Sequence, residues 1–206
     1  MYLPQAFALT RPDELARLLH AQPFGALVRH GPDGLTADHL PFEFDPAAGP
    51  HGTLWAHVAR ANPLWQRGSG AQVLVLFSGA QGYVSPSWYP SKAQAQRQVP
   101  TWNYEVVHAH GTLHAHDDPQ QVRAIVTRLT ARHEAGEPQP WRLTDSPPEY
   151  IERMLREIVG IEIRLSALVG KAKLGQNKDA RDRLGAADRL AERGHTALAA
   201  AMRRAG

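Results

Sequence analysis

Apolar and polar positions along the chain change period several times, and each change marks an element. Thr10 stands before Arg11, Pro12 and Asp13, offering an N-cap hydroxyl, an early proline and an acid to a first helical turn. Leu15, Leu18 and Leu19 then recur at helical spacing and form its apolar face. After Pro23 the segment FGALVRH reads as a strand, GPDG as a turn and LTADHLPFEF as the strand returning from it, a hairpin. GTLWAHV is a further strand, ARANPLWQ one helical turn, and AQVLVLF, a short apolar run with β-branched members, a strand buried on both faces.

Trp102 to His116 resumes the β pattern with a kink expected at Gly111, and Asp117, Asp118 and Pro119 start a helix running to about Glu134. Arg142 to Asp145 reads as loop and Pro148 to Glu157 as a short helix. VGIEIRLSALVG follows as a strand with Ile161, Ile163 and Leu165 on one side. The chain closes in a helix from about Asp179, interrupted near Gly194. Six or seven strands with a few flanking helices, and no internal repeat, predict a closed or split antiparallel barrel rather than a βαβ sheet.

Length and composition narrow the picture. At 206 residues the chain accommodates one domain with an appended helical element, and the expected division is a barrel domain over 1–177 and a helical extension over 178–206 packed on it. With no cysteine, disulfides, thiolate zinc sites, iron–sulfur clusters and cysteine nucleophiles are excluded. No apolar run reaches membrane-helix length, and the first residues lack the basic start and apolar core of a secretory signal, so the expected location is the cytoplasm. The formal charge of +3 is modest. From Lys178 onward seven basic side chains face four acidic ones, which reads as a solvated helix face.

The densest chemistry lies between Gln81 and Asn103, where Tyr83, Ser85, Ser87, Trp88, Tyr89, Lys92, Thr101, Trp102 and Asn103 fall in one stretch. Pro86, Pro90 and Pro100 keep most of it out of helix interiors and central strands. Aromatic rings there can cover a flat ring while the hydroxyls and the lysine donate to anionic groups around it. A flat, phosphorylated cofactor fits this set, and flavin mononucleotide (FMN) fits best. Arg60 and Asn62 sit where a strand breaks into a turn, a place for donors to converge on phosphate, or else a capped turn with a solvated arginine. His57, three residues earlier, either donates to the cofactor or packs. Lys92 and Lys173 are further cations at strand edges. Gln176 and Asn177 carry amides that suit a flavin's pyrimidine edge, with helix capping as the competing role for Asn177. Trp88, Tyr89 and Trp102 either stack on the ring or fill an interface, and Ser85, Ser87 and Thr101 either reach the cofactor or satisfy local backbone.

Several chemistries are set aside. His108, His110, His114 and His116 share one parity and point to one face of an unbroken strand, yet no carboxylate spacing supports a metal there. HEAGE at His133 lacks the second histidine of a zinc protease helix, and GKAKLGQNK lacks the Lys and Ser or Thr of a P-loop. No nucleophile elbow is present, and no catalytic residue is assigned.

Five segments in order, MYLPQAF, HVARANPLW, VLFSGAQGYVSPSWYPSK, VPTWNYEVVHAHG and VGIEIRLSALVGKAKLGQNK, together resemble the PaiB family of FMN-binding proteins, often labelled negative transcriptional regulators, in the FMN-binding split-barrel superfamily. Gly175 stands where that family more often has serine. The resemblance implies a mainly β fold with flanking helices: a six-stranded antiparallel split barrel with a C-terminal helix. It also implies a homodimer with FMN at the junction of the subunits and a regulatory output. A flavin-dependent oxidoreductase or a haem-binding protein of the same class is the alternative, and a barrel acting through protein contacts without FMN a third. Direct DNA binding calls for a helix-turn-helix with a base-reading second helix, and the chain shows no such pair.

Overall fold

Six strands of seven to sixteen residues and two short ones carry the chain in the computed structural model, which describes residues 1–32 and 34–205. In chain order the elements are β1 (Ala8–Leu9), α1 (Pro12–Ala21), β2 (Phe24–Gly31), β3 (Gly34–Pro41), β4 (Glu43–Asp45), β5 (Thr53–Ala59), α2 (Leu64–Gly68), β6 (Gln72–Val84), α3 (Lys92–Ala95), β7 (Thr101–His116), α4 (Pro119–Glu134), α5 (Pro148–Arg156), β8 (Ile158–Lys173), α6 (Ala180–Glu192) and α7 (Thr196–Arg204). The strand order is β3-β2-β6-β7-β8-β5-β4, an open path, with β1 antiparallel to the end of β8. β2 pairs antiparallel with β3 and β6, and β5 antiparallel with β4 and β8. The expected strand count of six or seven becomes eight because two of the strands span only two and three residues. No helix among the described residues is long and apolar enough to cross a membrane.

Local chemistry explains the element ends. Asp118 caps α4, its Oδ1 accepting from the amides of Gln120 at 3.1 Å and Gln121 at 3.0 Å, with Pro119 at the first helical position. Asp179 caps α6 through the amide of Asp182 at 2.8 Å. At α1 the cap position differs from expectation. The first helical bond runs from Leu15 to the carbonyl of Arg11, so Thr10 stands one residue too early. The arginine side chain instead reaches Asp13 in the first turn.

Three further readings of the pattern are corrected. LTADHLPFEF is two strands, because buried Phe42 interrupts β3 and β4 and donates its amide to Pro23. AQVLVLF is not buried on both faces: Val73, Val75 and Phe77 are buried while Leu74 and Leu76 are partly exposed, the alternation of an antiparallel strand with one face on a core. Gly111 does not break β7. A side chain there would come within 2.5 Å of the Arg164 carbonyl, so the glycine serves the close approach of neighbouring backbone. The first hairpin turn includes Asp33, which lies outside the described residues.

The chain divides into two compact units, Met1–Leu18 with Ser78–Val107 and Val169–Gly206, and Leu19–Phe77 with His108–Leu168. In the first unit α6 and α7 bury Ala186, Leu190, Leu198 and Met202 against Val84, Tyr89, Ala172 and Leu174. In the second, α4 and α5 bring Val122, Ile151 and Leu155 together with Leu143.

Candidate functional site

Strand alternation sorts the first unit's candidates onto opposite sides of β7. Asn103 and Glu105 are buried, whereas Trp102 is half exposed and Tyr104 partly so. Trp102 therefore stays available, and Asn103 points into the core, where its amide reaches the Met202 sulfur at 3.4 Å. The Lys173 ammonium donates to the Thr101 hydroxyl and, at 2.9 Å, to the Trp102 carbonyl. The Trp102 indole donates to Gln81 at 3.3 Å. Beside them Lys171 is buried, donates to the Tyr2 carbonyl at 3.1 Å and sits 5.4 Å from the Tyr104 ring. Thr101, Trp102 and Lys173 are thus brought together. Gln81, Tyr104 and Lys171 join them, and the alternation along β7 was the only sequence signal that could have found Tyr104.

Charge is poised unusually at this cluster. Burial pulls the Lys173 ammonium below its ordinary value. Tyr104 opposes that shift, while the positive charges of Lys171 and Lys178 add to it. A lysine shifted this way is stabilised by an incoming anion, and two of its three N–H donors are already directed by the protein.

The rest of the aromatic stretch is committed to holding itself. The Ser85 hydroxyl accepts from the Ser87 amide at 3.3 Å and shares a 2.8 Å hydrogen bond with the Ser87 hydroxyl, capping the turn Pro86–Trp88. Trp88 is flanked by the edge of Tyr83 and by the Arg193 guanidinium, 4.9 Å from its ring. Tyr89 is buried, and that burial, with the negative charge of Asp182, raises its phenol above the ordinary value. Lys92 opens α3 and its side chain makes no hydrogen bond among the described residues. Gln176 folds back on its own turn, accepting from the Leu174 amide at 2.8 Å and donating to the Ala172 carbonyl at 2.6 Å. That turn passes through Gly175 at φ +91, a backbone angle that a side chain resists, and Asn177 is exposed beyond it. Asp179, not Asn177, caps the following helix. Sequence reasoning missed a polar knot here: buried Asp182 accepts from the Ser91 amide at 2.9 Å, the Ser91 hydroxyl at 2.5 Å and Gln98 at 2.9 Å, while Lys178 donates to Gln98 at 2.6 Å.

His57, Arg60 and Asn62 belong to the second unit. Arg60 is clamped: its guanidinium donates to Asp117 at 3.1 and 2.6 Å and to the carbonyls of Arg156 and Ile158. Hydrogen bonding to Asp117 raises the arginine and lowers the carboxyl. Asn62 donates to Asp38 at 2.8 Å and accepts from the Leu64 amide at 2.8 Å, closing the turn into α2. His57 is different. Its Nδ1 is buried with no partner among the described residues, and burial holds the ring below its ordinary value and hence neutral. On β7, His108 and His110 stand side by side with ring centroids 6.5 Å apart, whereas His116 is bonded to Glu162 at 2.8 Å. No group of three or more His, Asp or Glu among the described residues could hold a metal.

The model of the family described as "Putative FMN-binding domain" matches residues 1–167. The Bacillus subtilis protease synthase and sporulation protein PAI 2 is 29% identical over 92% of this chain and 89% of its own length. An uncharacterised Aspergillus fumigatus protein is 31% identical over 90% of the chain and 88% of its own. Among solved structures, the FAD- and haem-binding protein of Mycobacterium smegmatis superposes with TM-score 0.62 at 17% identity, covering 87% of this chain and 79% of that one. A flavocytochrome of Azotobacter vinelandii superposes with TM-score 0.60 at 14% identity, covering 82% and 70%.

Proposed function

Since this chain belongs to the FMN-binding domain family whose model spans its residues 1–167, we propose that it works as a homodimeric, PaiB-like flavoprotein with a regulatory output. The observation that carries the reading is the Lys173, Thr101 and Trp102 cluster: a desolvated cation and a hydroxyl beside an exposed indole. A phosphorylated flat ring requires those groups, a charge-assisted donor for phosphate and an aromatic surface for the ring. Lys173 and Thr101 take the phosphate, Lys171 adds positive charge, and Trp102 with Tyr104 packs on the ring. FMN, when bound, supplies a one- or two-electron redox centre whose potential responds to nearby cations and donors.

Dimerisation is supported by apolar surface that the single chain leaves open. Tyr2 and Val99 are 83% and 70% exposed. A second copy covers such surface at an interface rich in aromatic side chains. Regulation rather than turnover is supported by the resemblance to PaiB proteins, with flavin occupancy or redox state as the input. Direct contact with DNA is not part of the proposal.

The test begins with the visible spectrum of the purified protein and titration of the flavin-free protein with FMN. One FMN per chain, with affinity lost in Lys173→Gln, is the expected result. A protein that ignores FMN removes the proposal. Saturable bleaching of the bound flavin by reduced nicotinamide replaces the regulatory reading with that of a reductase.

A further inference from the structure

The second unit holds a cavity of about 330 Å³ beneath α4, independent of every residue assigned above to the flavin. Trp55 of β5 forms one wall, Ala124 and Ile125 of α4 form an apolar side, and Arg128, Arg164, Glu162, His116 and Gln121 complete the lining. Arg128 lies 5.7 Å from the centroid of the Trp55 ring. The walls are therefore an aromatic face, aliphatic carbons and two fixed cations.

Each arginine is held by one edge only. Arg128 donates Nε and Nη2 to Glu43 at 3.0 and 3.1 Å and Nη2 to Asp45 at 3.0 Å. Arg164 donates Nε and Nη2 to Glu162 at 2.9 and 3.3 Å. The Nη1 group of each has no hydrogen bond among the described residues. Glu162 offers little in return, since Oε1 is taken by Arg164 and Oε2 by Arg164 and by His116 at 2.8 Å. The Gln121 amide can donate and accept, so free donors still outnumber free acceptors in the lining, which favours an occupant that accepts. Glu43, Asp45 and Glu162 bring three negative charges to the two positive ones, which disfavours a phosphate dianion and leaves a monoanion to be held by direct hydrogen bonds from the Nη1 groups. The volume stands at the lower end of small-molecule pockets, about 300–1,000 Å³, and admits a single ring with a short substituent.

We propose that this cavity binds a small planar aromatic monocarboxylate, its ring against Trp55 and its carboxylate on the unpaired Nη1 groups of Arg128 and Arg164. Guanidiniums already held by Glu43, Asp45 and Glu162 lose little freedom when they receive the ligand, which favours binding.

Benzoate is the probe, titrated calorimetrically into the full-length protein with and without saturating FMN. One site per chain is expected, with the same affinity in both states. Arg164→Gln, at a side chain 63% exposed and so tolerant of exchange, is expected to weaken benzoate about tenfold without changing the FMN titration. Trp55→Phe weakens it less. No heat from benzoate at millimolar concentration, unchanged affinity in Arg164→Gln, loss of the site on adding FMN, or tighter binding of benzylamine than of benzoate would each overturn the proposal. All four outcomes leave the flavin reading standing, since that reading is tested by FMN itself.

Discussion

The Lys173 ammonium donates to the main-chain carbonyl of Trp102 at 2.9 Å, while the Trp102 indole stays half exposed beside it. One contact therefore ties the cation to the backbone that carries the aromatic ring, 71 residues away in the chain. Substituting Lys173 by Gln keeps the length and loses the charge. FMN affinity is expected to fall about ten- to a hundredfold, the range of one or two charge-assisted hydrogen bonds. Quenching of flavin fluorescence measures it, and unchanged affinity would remove Lys173 from the site.

The same lysine gives FMN binding a pH dependence. Its ammonium titrates below the ordinary 10.5 in the free protein because burial disfavours the charge. A bound phosphate favours the charged form and raises it again, so binding takes up protons in the alkaline range below 10.5, and affinity drops as pH rises there. Lys173→Arg, which stays charged, is expected to flatten the drop. An alkaline profile identical in the two proteins would contradict the assignment.

Glu162 makes the second unit sensitive to acid. Burial opposes its ionisation, but hydrogen bonds and charges from Arg164 and His116 outweigh burial and hold the carboxyl below its ordinary 4.5. A depressed carboxyl contributes stability above its unfolded value and loses it as pH falls through the folded one. Glu162→Gln is expected to cost about 1–3 kcal/mol at neutral pH, the cost of weakening a buried charged hydrogen-bond network. Its melting temperature should also fall less than the wild type's between neutral pH and pH 4.5 and below. Thermal denaturation across that range tests both expectations.

Asp182 fastens the aromatic stretch to α6. Replacing it by alanine leaves the Ser91 amide and the Gln98 side chain without their acceptor and is expected to cost about 1–3 kcal/mol. Limited proteolysis is the more specific measurement. Cleavage should rise between Lys92 and Pro100, and unaltered protection there would show that the knot does not hold the segment.

Much of the fold was legible in the residues themselves. Alternation announced β5 and β7, and Asp118 followed by Pro119 announced the start of α4. The aromatic stretch was legible largely as turns and strand ends because its prolines interrupt regular structure, leaving room only for the single turn of α3 between them. The division of Trp102 from Asn103 was available too, since successive strand residues face opposite ways, but the composition of the stretch drew both into one candidate set. Thr10 was misplaced as a cap because two neighbouring residues can each begin a helix, and which one does depends on the helical bond that forms first.

What the sequence by itself determined is everything that depends on neighbours a few residues away: period, capping, turn chemistry, and the exclusion of cysteine-based sites. Only the tertiary structure decided that Arg60 is held by Asp117, that Lys173 meets Thr101, and that Arg128 and Arg164 share a cavity with Trp55. The physical reason is that a charged or polar side chain has many partners of equal chemistry along the chain. The choice among them falls to whichever strands and helices burial brings side by side.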